Sequence, residues 1–317
     1  MYEEYGGYIE FETYFGTEYH SEAIALNCGR NCLAYLIESH NINNIYLPYF
    51  MCSSVENICK KYEVEIIKYS IDKDFLPVLD FEITENDWIY IANYYGQLSN
   101  DTIVKIKDKF KNVIIDNTES FFQEAVKNVD TIYSCRKYFG VPDGAYLYTN
   151  KRNLILDQDI SYNRMLHLLG RYEKTASEFY EESKRNNQLF KNEEIKYMSK
   201  LTQNLLRGIN YGTIECKRTQ NFEYLYRELS SINMLNLKIP KGPFMYPLLI
   251  ENGSNVRKKL QEMKIYIPIL WPDVLKCCEE KSIEYKYARD ILPIPVDQRY
   301  CVDDMEYIVK AVKRCIG

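Results

Sequence analysis

Short apolar runs alternate with amphipathic stretches through the first half of this chain. Apolar positions recur at helical spacing over 31–38, and amphipathic segments at 54–62 and 101–111 predict two more helices. Candidate strands lie between and after these segments, at 45–49, 64–69, 88–93, 112–115 and 145–148. Strands that alternate with helices predict an α/β fold with three layers, in which helices cover both faces of a mostly parallel sheet.

The pattern changes after about residue 155. From there to about residue 230 the chain is highly charged and nearly free of Gly and Pro, which predicts long helices, one of them connecting two domains. Asp303 is a candidate N-cap for a last helix at 303–315. Shorter elements are predicted before it, with strands at 245–251, 264–270 and 291–296 and a helix at 254–263. We therefore expect a large α/β domain over residues 1–205 and a smaller C-terminal α+β domain over residues 206–317.

The composition of the chain argues against several functional classes. Of the 317 residues, 46% are hydrophobic and 27% are charged, and the net charge of −5 comes from interleaved acidic and basic residues, which argues against a nucleic-acid partner. No apolar run reaches the length of a membrane span, and the acidic, aromatic N-terminus is unlike a secretory signal. We therefore expect a cytoplasmic protein without a membrane partner. The ten cysteines are irregularly spaced and only three histidines are present, which predicts reduced thiols and no metal site.

Ligands of parallel sheets bind beyond the carboxyl ends of the strands, so the residues that follow each apolar run are candidate site residues. The first such feature is Asn-Cys-Gly-Arg-Asn at 27–31, which stands directly before the first predicted helix. Gly29 would let backbone amides approach an anion, and the helix dipole favours a phosphate there. A plain turn before the helix is the alternative interpretation.

Three further features follow along the chain, and each is ambiguous alone. Asp116 ends an apolar run, where its carboxylate would face the ligand crevice or would cap a helix. Lys137 lies in a mostly apolar setting; a buried lysine with a lowered pKa can form a Schiff base, whereas a solvated surface lysine is the alternative. The last feature, GVPDGA at 140–145, is a loop or a simple turn before a candidate strand.

Taken in order, these segments resemble the motifs of one known family. The first, LNCGRNCLAYLI, resembles a Ser-Gly-Thr-x-Ala-Leu phosphate loop with its helix, and the second, VIIDNTESF, resembles a strand that ends in a cofactor-binding Asp. The third, YSCRKYFGVPDGAYLYT, resembles a Ser-Phe-x-x-x-Lys-x-x-x-x-Gly-Glu-Gly-Gly segment. The resemblance extends over about residues 8–312, and the chain is similar to a shortened, divergent member of the DegT/DnrJ/EryC1/StrS sugar aminotransferases. These are enzymes of fold type I that use pyridoxal 5'-phosphate (PLP).

The resemblance implies roles for individual residues. Lys137 corresponds to the catalytic lysine that holds the PLP aldehyde as a Schiff base and then serves as general acid and base. Asp116 corresponds to the second catalytic residue, whose ionised carboxylate keeps the pyridine nitrogen protonated. The implied ligands of the cofactor phosphate are Ser134 and the backbone amides around Gly29, Arg30 and Asn31.

The chain also departs from the family pattern. Glu119 stands where the family commonly has His or Gln near the cofactor, and the segment between Ser134 and Lys137 is shortened by one or two residues. An Asn-Tyr-Arg motif that reaches the partner's cofactor phosphate in the family is replaced by residues 194–197. The residue that stacks on the cofactor ring falls at Phe50, Met51 or Cys52, which remain alternatives.

The implied activity is amino transfer from an amino acid such as glutamate to a nucleotide-linked keto sugar, at a site formed in a homodimer. Two alternatives stand beside it. The chain could catalyse a PLP reaction other than transfer, such as a dehydration, but family members that do so replace the lysine, so Lys137 favours transfer. It could also be a degenerate relative that binds a ligand without catalysis, a hypothesis favoured by the missing Asn-Tyr-Arg motif.

Overall fold

The computed structural model describes residues 5–80 and 82–317. Within these residues the α-helices are α1 (Gly29–His40), α2 (Ser53–Lys61), α3 (Asn100–Lys109), α4 (Leu166–Glu173), α5 (Tyr180–Leu189), α6 (Lys200–Arg207), α7 (Tyr211–Leu229), α8 (Gly253–Glu262), α9 (Val274–Cys277), α10 (Ile283–Asp290) and α11 (Val302–Ile316). The strands are β1 (Ile24–Leu26), β2 (Asn44–Pro48), β3 (Glu65–Ile71), β4 (Pro77–Val78), β5 (Trp88–Ala92), β6 (Val113–Asp116), β7 (Asp130–Ser134), β8 (Ala145–Tyr148), β9 (Met245–Leu249) and β10 (Ile291–Pro295). Short 3-10 helices span Tyr94–Gly96, Cys135–Lys137 and Tyr162–Arg164.

Eight strands form one sheet in the order β1-β8-β7-β6-β5-β2-β3-β4. The five strands from β7 to β3 are mutually parallel, while β8 is antiparallel to both β7 and β1, and β4 is antiparallel to β3. β5 and β6 are apolar along almost their whole length because they are buried from both faces, as parallel strands usually are. The expected α/β fold with a mostly parallel sheet is confirmed.

Helices cover the two faces of the sheet and complete the three layers. On one face, Ile114 of β6 packs in an apolar cluster with Leu33 and Leu36 of α1. On the other face, Ile115 belongs to a cluster that contains Phe222 and Leu225 of α7. Successive residues of β6 therefore point into different layers, as the strand repeat requires.

The parallel strands end at a common edge of the sheet. Ala92 at the end of β5 pairs with Asp116 at the end of β6, and Asp116 pairs with Ile132 of β7. β1, antiparallel to β8, also runs toward this edge and leads through Asn27 and Cys28 into α1. The connection from β7 to β8 turns at the same edge, because these two strands are antiparallel neighbours.

The C-terminal part contains a second, two-stranded sheet in which β9 pairs antiparallel with β10. Leu248 of β9, Leu260 of α8 and Val312 of α11 are buried in the same apolar cluster as Ile91 and Ile115 of the large sheet. The apolar core is thus continuous between the two sheets. The division at residues 205 and 206 stays a prediction, and both positions lie within α6.

Most predicted strands are present, with one error and three omissions, which are β1, β4 and β7. The strand expected at 264–270 is wrong, since these residues form no strand. Ile265 and Ile267 are buried and Tyr266 is exposed, so these residues alternate between buried and exposed positions as in a strand, although no partner strand pairs with them. Pro268 has no N–H to donate to such a partner. The three-residue β1 and the five-residue β7 carry too short an apolar pattern to have been predicted.

The helical predictions need two corrections. In the region expected to hold long helices, only α7 is long, with 19 residues, whereas α4, α5 and α6 have 8, 10 and 8 residues. The N-cap of α11 is Cys301, not Asp303, which lies in the first helical turn. The Cys301 N–H donates to Asp304 Oδ2 at 2.8 Å, so the neighbouring carboxylate provides the capping contact.

The loop between Lys137 and β8 is fixed by the buried carboxylate of Asp143. Its Oδ2 accepts a hydrogen bond from the Ser199 backbone N–H at 2.8 Å. Its Oδ1 accepts from Ser199 Oγ at 2.8 Å and also from the Thr202 hydroxyl. Ser199 is the N-cap of α6, so this carboxylate ties the loop to the start of that helix.

Replacing Asp143 with Ala would leave these buried donors without an acceptor. We expect Asp143→Ala to lower the free energy of unfolding by about 3 kcal/mol, since an unsatisfied buried group costs roughly 1–3 kcal/mol and several are involved. Urea denaturation measures the change. Asp108→Ala is the matched control, because Asp108 is exposed on α3, and its effect should stay within about 0.5 kcal/mol. A loss below about 1 kcal/mol for Asp143→Ala would contradict this role of the carboxylate.

Candidate active site

A cavity of about 290 Å³ opens at the common edge of the strands. It is lined by residues from the ends of several strands and from the loops that follow them, as expected for a parallel sheet. The predicted site residues that line it are Gly29, Arg30, Phe50, Cys52, Asp116, Glu119, Ser134 and Lys137. The structure therefore brings together segments that lie more than a hundred residues apart in the sequence.

Asn31 is the predicted site residue that does not line the cavity. Its side chain is buried and donates to Asn27 Oδ1 at 2.9 Å and to the Glu194 carbonyl at 2.6 Å. The Asn27 N–H donates to the Lys196 carbonyl at 3.0 Å. Residues 194–197, which replace the Asn-Tyr-Arg motif, thus pack against the start of α1 in their own chain.

The start of α1 is open to an anion. Its N-cap is Cys28, which makes no side-chain capping hydrogen bond, and its first turn contains no acidic residue. Unpaired N–H groups and the helix dipole favour negative charge at such a position. Gly29 is not required by backbone strain: a Cβ there would meet Thr118 Cγ2 at 3.7 Å, an ordinary contact. The absence of a side-chain capping hydrogen bond at Cys28 is therefore stronger support for an anion site than the presence of Gly29.

Asp116 is buried at the end of β6 with its carboxylate held in place. Its Oδ2 accepts from the Tyr90 hydroxyl at 2.7 Å, and its Oδ1 accepts from the Thr118 N–H at 2.9 Å. Burial raises the pKa of Asp116, whereas these two donors and the positive charge of Lys137 act to lower it. A further positive group against this carboxylate would favour its ionised form.

Glu119 is a second buried carboxyl in the same cavity. Its Oε2 accepts from the Tyr95 N–H at 3.1 Å, and Tyr95 has a left-handed backbone with φ of 54°, which is uncommon for a residue other than Gly. Burial raises the pKa of Glu119 to about 7, although Lys137 and the Tyr95 N–H lower it. Glu119 is thus poised to change its protonation near neutral pH.

Lys137 ends the 3-10 turn that follows β7, and it is exposed at the rim of the cavity. The expectation of a buried lysine is therefore wrong for this chain. The Lys137 Nζ atom lies 4.9 Å from the centre of the Phe244 ring. Its positive charge acts to lower the pKa of both Asp116 and Glu119, which line the same cavity.

The backbone beside Lys137 is held from the C-terminal part of the chain. The Tyr138 carbonyl accepts from Gln298 Nε2 at 2.7 Å and from Arg218 Nη2 at 3.3 Å. Arg218, a buried residue of α7, also donates to the Phe244 carbonyl at 3.4 Å, and its guanidinium lies 4.4 Å from the Tyr138 ring centre. Arg218 thus holds two segments beside the Lys137 side chain, the backbone of Tyr138 and the backbone of Phe244.

The three candidates for a ring-stacking residue all line the cavity. Phe50 is fully buried, with its ring centre 4.4 Å from that of Trp271 and 5.2 Å from that of Tyr94. Met51 is also buried, whereas Cys52 is exposed as the N-cap of α2. The alternatives among these residues stay open.

Several residues of the cavity were not predicted from the sequence. Trp271 comes from the C-terminal part of the chain and Phe190 follows α5, so only tertiary packing brings them to the site. Arg136 stands directly before Lys137, and this adjacency was a usable signal. The remaining unpredicted lining residues are Leu33, Ser54, Val55, Tyr90, Ala92, Thr118 and Asn187, whereas Cys28, Asn93 and Tyr94 belong to segments after apolar runs where a ligand was expected.

A larger cavity of about 630 Å³ lies beside β1. Its carboxylate, Glu18, is already engaged by the Tyr146 hydroxyl at 2.8 Å and by Arg207 at 3.3 Å. Burial lowers the pKa of its histidine, His20, to about 4, so that ring is neutral at ordinary pH. The smaller cavity is the candidate active site, because it combines an amine, buried carboxyls and an open helix start.

Metal-binding clusters and membrane-spanning helices are both absent from the described residues. Over residues 5–80 and 82–317, no group of three or more His, Cys, Asp or Glu side chains is placed to hold a metal ion. Within that same part of the chain, every helix is too short or too polar to cross a membrane.

No protein-family model matches the sequence, and no curated protein matches it significantly. Solved structures do match. NtdA from Bacillus subtilis, with bound cofactor PMP, has a TM-score of 0.66 at 14% identity, covering 93% of this chain and 73% of its own. A putative sugar aminotransferase from Streptococcus pneumoniae in its PMP form has a TM-score of 0.65 at 11% identity, covering 92% and 87%. A DegT DnrJ EryC1 StrS aminotransferase from Brucella abortus has a TM-score of 0.63 at 14% identity, covering 92% and 85%.

At these identities the comparisons establish the fold. The chain has the fold of the DegT/DnrJ/EryC1/StrS aminotransferases, so fold type I, expected from the sequence motifs, is confirmed.

The pKa of Glu119 makes stability depend on pH. Since the folded value of about 7 lies above the ordinary value of 4.5, the stabilisation by the protonated form is complete below pH 4.5 and is lost as pH rises through about 7. Glu119→Gln keeps an acceptor for Tyr95 but cannot ionise. We expect the unfolding free energy of the native protein to fall by about 3 kcal/mol relative to Glu119→Gln between pH 4.5 and 8, measured by urea denaturation.

The exposed Glu124 provides the control for this measurement. Glu124→Gln should show no such pH-dependent difference from the native protein. A difference between Glu119→Gln and the native protein that is constant over the same pH range would contradict the raised pKa.

Proposed function

We propose that this chain is a PLP-dependent aminotransferase that moves an amino group from an amino acid such as glutamate to a nucleotide-linked keto sugar. The observation that carries the proposal is the arrangement around one cavity of Lys137, Asp116 and the open start of α1. The fold supports it, since the neighbouring structures include a putative sugar aminotransferase and a DegT DnrJ EryC1 StrS aminotransferase. The sugar and the amino donor are the parts of the proposal that rest on this analogy.

The residues of the cavity fit PLP at three points. At the start of α1 there are open amides, and the buried Arg30 Nη1 atom has no hydrogen-bond partner within the described residues. The Ser134 side chain lines the same space. A phosphate group satisfies such donors. At the other points, Asp116 offers a buried carboxylate to the ring nitrogen and Lys137 offers an amine to the aldehyde.

When bound, PLP supplies an electron sink for the carbon that bears the substrate amine. Lys137 Nζ would hold the aldehyde at rest, give way to the substrate amine, and then move a proton at that carbon. Asp116 would hold a proton on the ring nitrogen, and the Tyr90 hydroxyl and Thr118 N–H fix its carboxylate for this task. Glu119 would present a protonated or ionised carboxyl to the same ring, according to pH.

A homodimer is part of the proposal. The segment from residue 162 to residue 173 exposes Tyr162, Leu166, Leu169 and Tyr172, and exposed apolar patches of this kind mark interaction surfaces. A second copy of the chain is the partner that the resemblance implies. We also propose a cytoplasmic location, which is supported by ten cysteines that are all free thiols.

One alternative has an observation in its favour. The exposure of Lys137 and the packing of residues 194–197 within their own chain would suit a relative that binds a ligand without catalysis. The retained lysine weighs against a non-transferring PLP enzyme. The next two predictions separate these possibilities.

Borohydride reduction tests the role of Lys137. After incubation with PLP and reduction, peptide mass mapping should find the cofactor attached to Lys137 Nζ, since the amine in the cavity is the one that reacts with the aldehyde. Lys137→Ala should lose this labelling, whereas Lys105→Ala, which removes an exposed lysine of α3, should keep it. Labelling that persists in Lys137→Ala would show that another lysine holds the cofactor, and a protein that takes up no PLP would exclude the enzyme proposal.

Incubation with glutamate tests the transfer reaction. The PLP-loaded protein should convert to its pyridoxamine form, followed by absorbance, with 2-oxoglutarate released in equal amount. Asp116→Asn should slow the conversion by about a hundredfold, a loss like that of other preorganised electrostatic groups, because the amide cannot hold the ring nitrogen protonated. Labelled Lys137 with no conversion by any amino acid would favour a protein that binds PLP without transferring an amine.

A further inference from the structure

Residues 174–193, which contain α5, form one wall of the candidate active site although very little of the segment is buried. Asn186 and Phe190 are buried, and the other residues of the segment are exposed or partly exposed. The preceding helix, α4, has no buried residue. Asn187 and Phe190 nevertheless line the cavity. A segment with so few buried side chains opens locally at a low cost in free energy.

Two hydrogen bonds join this segment to distant positions within the part of the chain that the structure describes. Asn186 Nδ2 donates to the Pro142 carbonyl at 2.9 Å, and the Arg136 guanidinium donates to Asn187 Oδ1. The Asn186 Oδ1 atom is buried and has no hydrogen-bond partner among the described residues. Because a buried acceptor without a donor costs free energy, the polar contacts of the segment stabilise this position only in part.

Phe190 makes the main apolar contact of the segment. Its side chain is 1% exposed, and the guanidinium groups of Arg136 and Arg164 lie 4.7 Å and 5.2 Å from its ring centre. Arg164 pairs with the buried Asp159 at 2.6 Å, so its position is fixed. Arg136 directly precedes Lys137 in the 3-10 turn after β7. Cation–π contacts therefore connect the end of α5 to a buried ion pair and to the turn that carries the candidate catalytic lysine.

The two ends of the segment allow α5 to move as a unit. After the segment, the Glu194 carbonyl is held to the start of α1, where it accepts from Asn31 Nδ2 at 2.6 Å and from Asn27 Nδ2 at 3.2 Å. Before α5, residues 174–178 are all exposed and belong to neither a helix nor a strand. Loop positions of this kind absorb the backbone rotation when a lid moves.

We propose that residues 174–193 form a lid over the candidate active site, which Phe190 holds closed and which opens by rotation at 174–178. The closed lid excludes water from the side of the cavity that contains Arg136. The open lid admits a ligand on that side. This inference rests on the proposed function only for the identity of the ligand, which would be PLP.

Hydrogen exchange followed by mass spectrometry tests the lid in the full chain without PLP. Phe190→Ala should increase the exchange rate of the α5 amides about tenfold or more, because the closed position loses its buried ring. Exchange in α7, which packs on the large sheet through Phe222 and Leu225, should stay as in the native protein. Leu189→Ala is the matched control: Leu189 is 47% exposed beside Phe190, and its loss should change the α5 rate by about twofold or less.

A second variant keeps the test valid if Phe190→Ala does not fold. Asn186→Ala removes the hydrogen bond to the Pro142 carbonyl and should also increase exchange in α5 while leaving α7 unchanged. Unchanged exchange of α5 in Phe190→Ala would overturn the lid. An equal increase in α5 and α7 would overturn it as well, since the ring would then stabilise the whole fold and not one segment.

Addition of PLP separates the lid from the proposed function. PLP should slow the exchange of α5 in the native protein, and it should dissociate faster from Phe190→Ala before any reduction. Bound PLP without protection of α5 would overturn the lid. Local, Phe190-dependent exchange in a protein that takes up no PLP would support the lid and reject the proposed function. Labelling of Lys137 by PLP, together with α5 exchange that does not respond to Phe190→Ala, would reject the lid and leave the proposed function standing.

Discussion

The parallel pairing of β2, β5, β6 and β7 is the constraint on which the candidate site depends. Because these strands run in one direction, their carboxyl ends meet at one edge of the sheet. The antiparallel return of β8 keeps the whole segment from Cys135 to Gly144 at that same edge. Asp116 and Lys137 therefore meet through topology, although they lie on different connections.

Charge is divided across the cavity that this topology creates. Asp116 ends β6 and Glu119 follows it, Arg30 lies in the first turn of α1, and Arg136 and Lys137 lie in the 3-10 turn after β7. Burial raises the pKa of both carboxyls and lowers that of Arg136, so burial disfavours the charged form of each group. A ligand that carries a cationic ring and an anionic tail suits such a division.

The sequence was a good guide to elements with a strong local pattern. β2, β5 and β6 are continuous apolar runs because both faces are buried, and this is visible without the structure. The region at 264–270 was misjudged because it has the burial pattern of a strand without the hydrogen-bonded partner, which no local pattern reveals. The N-cap of α11 was misplaced by two residues because Cys301 is capped by Asp304.

Much of the candidate site could also be predicted, because Asp116, Ser134 and Lys137 follow strand ends in a recognisable order. Trp271, Asn187 and Phe190 could not, since they reach the cavity only through packing of distant segments. The exposure of Lys137 was missed for a related reason: burial depends on what covers a turn, and the turn at 135–137 is short.

Arg218 connects the C-terminal part of the chain to the backbone beside Lys137, the candidate catalytic lysine. One guanidinium contacts the carbonyls of Tyr138 and Phe244, so α7 cannot shift relative to the large sheet without displacing the backbone on both sides of the amine. Gln298, which precedes α11, contacts Tyr138 as well. We therefore expect substitutions of Arg218 in α7 to shift the backbone beside Lys137 without changing any residue that lines the cavity.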